Sequence, residues 1–150
     1  MAGRTLIDGV YKTINGGNAL VDGVSKKIKC GKVLINGVSH EIEFDQAVTI
    51  TGNPNRTYAY ARTEDGETVS STGVINVPLG DYVTVYVNAD NTQYGSYATI
   101  KHNGTVVATG GTSGVAAAYS FAVTKAATIR FYKSYDVSPF TAYAAEITGG

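Results

Sequence analysis

The sequence predicts an all-β protein in two parts: an N-terminal β-hairpin repeat module of three 14-residue units, followed by a β-sandwich. Three observations support this prediction. One phrase recurs at a spacing of 14 residues through the first 44 residues. The chain has 18 glycines and 11 tyrosines, with only 16% charged residues, which is typical of β proteins. From residue 47 onward, short β-forming runs alternate with turn signals.

The repeated phrase has the pattern of a β-hairpin. Its copies occupy residues 3–14, 17–28 and 31–42, and each contains leucine, a β-branched residue, Asp/Asn-Gly and valine. The Asp-Gly and Asn-Gly dipeptides accept positive φ at both centres of a type I′ turn. They are Asp8-Gly9, Asp22-Gly23 and Asn36-Gly37. Each unit is therefore predicted to be two strands joined by a two-residue turn.

A two-residue turn predicts the register within each unit. In the first unit, Ile7 is expected opposite Val10, Leu6 opposite Tyr11, and Gly3 opposite Ile14. A two-stranded hairpin is marginally stable alone in water, so the units must pair with each other or with a partner. The apolar positions before the turns are the candidate attachment residues. They are Leu6, Ile7, Leu20, Val21, Leu34 and Ile35.

The pairing between units stays open at this stage. Asn15-Gly16 predicts a second tight turn and hence a continuous six-stranded meander. The equivalent position at the next junction is Lys29-Cys30, and cysteine tolerates positive φ poorly. We interpret Cys30 as a small residue in a turn. A short solenoid of stacked hairpins is the alternative to the meander.

The phrase ends near Asp45, which predicts a module at residues 1–45 and a sandwich domain at residues 46–150. Asn103-Gly104 predicts a hairpin turn, residues 88–95 a polar loop, and residues 110–114 a flexible tip. An immunoglobulin-like or a jelly-roll sandwich fits the strand spacing. The predicted strands are 48–51, 57–62, 73–77, 82–87, 97–102, 105–109, 119–123, 128–132 and 143–147.

Composition and motifs weigh against several classes of function. Twelve basic and twelve acidic residues give zero formal charge, without the basic stripe of a nucleic-acid binder. We expect no membrane partner, and no secretory signal is apparent. His40 and His102 stand far apart, and no catalytic constellation or phosphate loop is present in the sequence. The prediction is a non-enzymatic protein with no catalytic, cofactor-binding or metal-binding residues and no cofactor.

The high tyrosine content is the unusual feature of the composition. A tyrosine ring is rigid and amphipathic, and it can stack on sugars. The polar stretch 88–95 and the region around Tyr135 form the best candidate ligand-facing surface. The candidate ligand-facing residues are Asp90, Asn91, Tyr94, Tyr97 and Tyr135. A Ca²⁺ site made from Asp90 and Asp136 is a weaker alternative, because calcium needs six or more oxygen ligands.

The opening phrase Gly3-Arg4-Thr5-Leu6-Ile7-Asp8-Gly9, with its later copies, resembles virion structural proteins of tailed phages and prophages of Gram-positive bacteria. Two later stretches are similar to the sandwich domains of those proteins, namely residues 75–83 and 123–129. The resemblance implies a capsid decoration or head-fibre protein, or a tail or baseplate accessory. It implies no catalytic residues.

The leading expectation is thus a capsid-decorating protein, anchored by its hairpins, with the sandwich facing solvent. The alternative is a glycan-binding adhesion module on the tail, the baseplate or the capsid surface. The implied partners are the phage major capsid protein or other virion proteins, further copies of the chain in a homo-oligomer such as a trimer, and a host-surface glycan. The implied location is the virion, assembled in the host bacterial cytoplasm.

Overall fold

The computed structural model describes residues 45–110 and 116–150 with their side chains, and the backbone of six strands within residues 3–43. These strands form three separate two-stranded antiparallel sheets, β1 with β2, β3 with β4, and β5 with β6. Their bounds are β1 Gly3–Ile7, β2 Val10–Ile14, β3 Gly17–Val21, β4 Val24–Ile28, β5 Cys30–Ile35 and β6 Val38–Glu43.

In the first of these sheets Ile7 lies opposite Val10, and Gly3 lies opposite Ile14. The Asp-Gly and Asn-Gly dipeptides of the three repeat units lie outside the described residues, so the type I′ turns of the repeat stay a prediction. Asn15-Gly16 and Lys29 lie outside them as well, and both the meander and the solenoid stay open. Cys30 belongs to β5 and pairs with Glu43, whereas the sequence interpretation placed it in a turn.

Ten further strands form two sheets. The larger sheet has six strands in the order β10-β7-β15-β16-β12-β13, and the smaller has four in the order β14-β11-β8-β9. Their bounds are β7 Asp45–Gly52, β8 Ala59–Thr63, β9 Thr68–Val69, β10 Gly73–Pro78, β11 Tyr82–Val87, β12 Thr99–His102, β13 Thr105–Thr109, β14 Ala117–Ala122, β15 Ala127–Val137 and β16 Phe140–Gly149.

Two pairings in the larger sheet are parallel, β7 with β15 and β12 with β16. A parallel pair requires a long crossover connection, so distant parts of the chain meet at the centre of this sheet. The strand order differs from the seven-stranded immunoglobulin order and from the antiparallel arrangement of a jelly roll. The two-sheet all-β architecture is as predicted, with a mixed strand order.

One buried core lies between the two sheets. From the smaller sheet it contains Val83 and Val85. From the larger sheet it contains, among others, Ile50, Ile129, Phe131 and Ile147. In β11 the burial alternates strictly, because successive side chains of a strand point to opposite faces. This alternation leaves Tyr82, Thr84 and Tyr86 on the outer face of the smaller sheet.

The predicted Asn103-Gly104 turn is confirmed. Both residues have positive φ, 49° and 84°, as a type I′ turn requires, and they connect β12 to β13. The predicted tip at residues 110–114 lies outside the described residues from position 111 onward. Among the residues that the structure describes, no helix has the length and apolar character needed to cross a membrane.

Candidate functional site

Four aromatic side chains form a cluster where a 3₁₀ helix, Thr92–Tyr97, meets the paired ends of β15 and β16. We call these side chains, Tyr94, Tyr97, Tyr135 and Phe140, the aromatic platform. The ring centre of Tyr135 lies 4.6 Å from that of Tyr94 and 5.1 Å from that of Tyr97. Phe140 lies 5.0 Å from Tyr94, also measured between ring centres. Three of the five predicted ligand-facing residues therefore meet in one place.

The rings of the platform are close to parallel. The interplanar angles are 18° for Tyr94 with Tyr135, 28° for Tyr97 with Tyr135, and 30° for Tyr94 with Tyr97. Offset stacking of this kind stabilises aromatic pairs by about 0.5–1.5 kcal/mol beyond the burial of their surface. Tyr97 is 45% exposed, while the other three side chains are half-buried. The platform therefore presents one well-exposed ring, Tyr97, which stacks on Tyr94 and Tyr135. Phe140 in turn lies against Tyr94.

The register of the β15–β16 pair determines where Tyr135 and Phe140 of the platform lie. Tyr135 lies opposite Ala142, and Val137 lies opposite Phe140. Because residues two apart on a strand share a face, Phe140 and Ala142 lie on the same face as Tyr135. An irregularity in the pairing between Lys133 and Tyr135 sets this register. The pKa of Tyr135 is raised, chiefly because its hydroxyl is removed from water and secondarily because it hydrogen-bonds with Tyr94.

The other two predicted residues position the platform. The backbone N–H of Gln93 donates to Asn91 Oδ1 at 2.9 Å, which caps the 3₁₀ helix. The backbone N–H of Thr141 donates to Asp90 Oδ2 at 2.8 Å, and the N–H of Asp90 donates to the Thr141 carbonyl at 3.0 Å. Asp90 and Asn91 thus hold the segment that carries Tyr94 and Tyr97 against β16.

Replacing Asp90 with alanine is expected to destabilise the protein by about 1 kcal/mol, because it removes the acceptor of the Thr141 N–H. Asp90→Asn is the matched control, since its amide oxygen can accept the same hydrogen bond. Urea unfolding of the two variants measures the difference. An equal loss in both variants would show that the carboxylate charge, rather than the hydrogen bond, holds this segment.

Lys133 and Asp136 form an ion pair beside the platform. The ammonium group of Lys133 donates to Asp136 Oδ2 at 3.0 Å, and the hydroxyl of Thr141 donates to Asp136 Oδ1 at 3.3 Å. The hydrogen bond from Lys133 lowers the pKa of Asp136, and the same bond raises the pKa of Lys133. Both side chains are substantially exposed, so the ion pair contributes little to the stability of the fold, and its main effect is on the charge beside the platform.

The carboxyl of Asp136 is expected to titrate below the range of an ordinary aspartate, and Lys133→Gln should return it toward that range. Because its folded-state pKa is lowered, the contact stabilises the fold above the unfolded-state pKa. That stabilisation is lost as the pH falls through the lowered folded-state value. NMR titration of the side-chain carboxyl carbon measures the shift, and an unchanged midpoint in Lys133→Gln would exclude Lys133 as its cause.

The calcium alternative has little geometric support. Asp90 accepts from the Thr141 backbone, and Asp136 accepts from Lys133 and from the Thr141 hydroxyl. In the part of the chain that the structure describes, no three His, Cys, Asp or Glu side chains come together as a metal-binding group.

A cleft of about 260 Å³ lies near the turn between β8 and β9, away from the predicted site. Four carboxylate residues contribute to its lining, Glu64, Asp65, Glu67 and Asp81. Glu64 accepts from the backbone N–H of Tyr82 at 2.9 Å, and Asp65 accepts from the hydroxyl of Thr63. Glu64 and Asp65 therefore take part in local structure.

His102, which the sequence shows as an isolated residue, has a defined structural role. Its Nε2 lies 2.7 Å from the Gly149 carbonyl oxygen, which can only accept, so Nε2 carries the proton. Its Nδ1 lies 3.2 Å from the hydroxyl of Tyr119. The histidine thereby ties the end of β16 to β12 and β14. Sequence spacing contains no signal for this contact, because its members lie 17 and 47 residues apart.

A second group of aromatic residues lies on the outer face of the smaller sheet. Tyr60 and Tyr86 are paired across β8 and β11 with ring centres 4.9 Å apart, and the guanidinium carbon of Arg62 lies 5.9 Å from the Tyr86 ring centre. The rings stack on each other as a cross-strand ladder, which is a common way to stabilise a sheet.

No protein-family model matches the chain, and neither a curated protein nor a solved structure matches it. The class of the protein is therefore defined by its own geometry. It is an all-β protein with a two-sheet sandwich, an aromatic surface cluster at one end of it, and three two-stranded sheets earlier in the chain.

Proposed function

We propose that the protein is a non-enzymatic virion structural protein of a tailed phage, of the capsid-decorating type. In this proposal residues 1–45 attach the protein to the particle, and the sandwich domain at residues 46–150 faces solvent. The observation that carries the proposal is that one chain contains both three successive two-stranded sheets and a sandwich with a complete core.

The repeat and the sandwich differ in whether they can cover their own surfaces without a partner. A two-stranded sheet has both faces and both edges available, and it is marginally stable unless something covers it. Three such sheets in succession offer three equivalent contact surfaces and backbone edges for strand addition to a partner. The sandwich buries its core between its own two sheets. The repeat is therefore the part that gains most from a partner.

The proposed partners are the major capsid protein or other virion proteins, together with further copies of this chain. A homo-oligomer such as a trimer would cover the sheets of the repeat with one another and match a symmetry axis of the particle. The proposed attachment residues are the apolar pairs before the turns. They are Leu6, Ile7, Leu20, Val21, Leu34 and Ile35.

Deleting residues 3–44 is expected to abolish binding to particles prepared without this protein, while the sandwich still unfolds cooperatively. Co-sedimentation with the particles measures the binding, and circular dichroism during heating measures the folding. Retained co-sedimentation of the deletion variant would contradict attachment through the repeat.

A glycan-binding adhesion module, placed on the tail, the baseplate or the capsid surface, is the second candidate function. The aromatic platform favours it, because the exposed ring of Tyr97, stacked on its half-buried neighbours, provides a surface on which sugar rings can stack. Its first test is binding of the full-length protein to cell-wall polysaccharide of a Gram-positive host.

A further inference from the structure

We propose that the aromatic platform binds an uncharged oligosaccharide, whose pyranose ring stacks its apolar face on the exposed ring of Tyr97. This inference rests on the second candidate function and specifies its ligand class and contact residue. Three properties of the platform lead to it: the orientation of the rings, the local charge and the rigidity of the supporting segment.

Ring orientation separates a flat ligand from a compact cation. The ring pairs of the platform lie between 18° and 32° from parallel. A quaternary ammonium group is recognised by the faces of aromatic rings, commonly in a cage that surrounds it. Nearly parallel rings in mutual contact present a common stacking direction instead of a cage. A pyranose ring, which is broad and has apolar C–H groups on its face, matches such a surface.

Local charge separates neutral from acidic sugars. The ammonium group of Lys133 is engaged by the carboxylate of Asp136 at 3.0 Å. Asp90, which pins the 3₁₀ helix through Thr141, adds a further carboxylate near the platform. These three residues together carry a net negative charge, which disfavours uronic acids and phosphorylated sugars. An uncharged sugar avoids this repulsion.

The supporting segment is built to hold the rings in place. The Asn91 cap and the two hydrogen bonds between Asp90 and Thr141 fix the 3₁₀ helix. A surface that is ordered before binding loses less conformational entropy when the ligand arrives. Thr92, Gln93 and Ser96 are exposed on the same helix and carry polar side chains of the kind that hydrogen-bond to sugar hydroxyls.

The test is an NMR titration of the full-length protein with four separate probes at millimolar concentration. The probes are a cello-oligosaccharide, a fully N-acetylated chito-oligosaccharide, an oligogalacturonate and choline chloride. We expect the two neutral oligosaccharides, or one of them, to shift the ring resonances of Tyr94, Tyr97 and Tyr135. Tyr97→Ala should weaken that binding about tenfold, and Tyr97→Phe should keep it within about threefold, because phenylalanine retains the ring face.

Tyr82→Ala is the matched control, because Tyr82 is 52% exposed but lies on β11 in the smaller sheet. It should leave the affinity unchanged. Stronger binding of oligogalacturonate or choline, unshifted rings with both neutral oligosaccharides, or equal losses in Tyr97→Ala and Tyr82→Ala would overturn the proposal. Cell-wall polysaccharide bound equally by wild type and Tyr97→Ala would leave the adhesion function standing and reject this site alone.

Discussion

Gly52→Ala is expected to destabilise the sandwich by about 3 kcal/mol or more, one of the two largest effects of a single substitution. Gly52 ends β7 with a φ of 81°, where a side chain is strained. It lies opposite Phe131 in the parallel pair of β7 and β15. A Cβ atom there would collide with the backbone carbonyl oxygen of Phe131, which also accepts from the N–H of Asn53 at 2.8 Å. Backbone cannot yield as a flexible side chain does.

Gly66→Ala is the matched control for this substitution. Gly66 also has a positive φ, 93°, but an added Cβ would have no atom within 4 Å. It should cost only the conformational strain, about 1 kcal/mol. Urea unfolding of both variants separates strain from collision. Equal losses in the two variants would contradict the close approach of β7 and β15.

Phe131→Ala is expected to reduce the free energy of unfolding by about 3–5 kcal/mol. Phe131 is fully buried in β15, between β7 and β16, and is the largest fully buried side chain among the described residues. Its removal leaves a cavity between the sheets in addition to the lost transfer free energy. Urea unfolding measures the change, with the slope of the transition unaltered if the unfolded state is unaffected.

Val74→Ala provides the comparison for the core substitution. Val74 is 63% exposed on β10, so its truncation should change the free energy of unfolding by less than about 0.5 kcal/mol. A similar loss from Phe131→Ala and Val74→Ala would contradict a core closed between the two sheets.

Local sequence signals predicted the parts of the fold that depend on neighbouring residues. The Asn103-Gly104 turn and the alternation of β11 are examples, since each requires only local chemistry. The two-residue strand Thr68–Val69 was missed, because it is too short to show a period. Ala127–Val137 and Phe140–Gly149 are longer than predicted, because mutual pairing extends them through polar residues that favour turns in isolation.

The candidate site was predicted in part for the same reason. Tyrosine content and loop polarity pointed to Tyr94, Tyr97 and Tyr135, but not to Phe140, which completes the platform. The predicted polar loop at residues 88–95 overlaps the 3₁₀ helix Thr92–Tyr97, whose last residue, Tyr97, was predicted to begin a strand. Asp90 and Asn91 were predicted to face a ligand, whereas their side chains accept hydrogen bonds from Thr141 and Gln93. The Asp90 contact depends on tertiary packing, because Thr141 lies 51 residues away. The Asn91 contact is a local cap, and it follows from the 3₁₀ helix that the sequence did not predict.

Co-sedimentation with particles tests most directly whether residues 1–45 attach the protein to the particle while the sandwich faces solvent. The full-length protein would carry either the combined substitutions Leu6→Asp, Leu20→Asp and Leu34→Asp, or Tyr97→Ala. We expect the aspartate variant to stay in the supernatant with the unfolding of its sandwich unchanged, and Tyr97→Ala to sediment like the wild type. An aspartate variant that sediments normally, or a Tyr97→Ala protein that is lost from the particles, would contradict the claim.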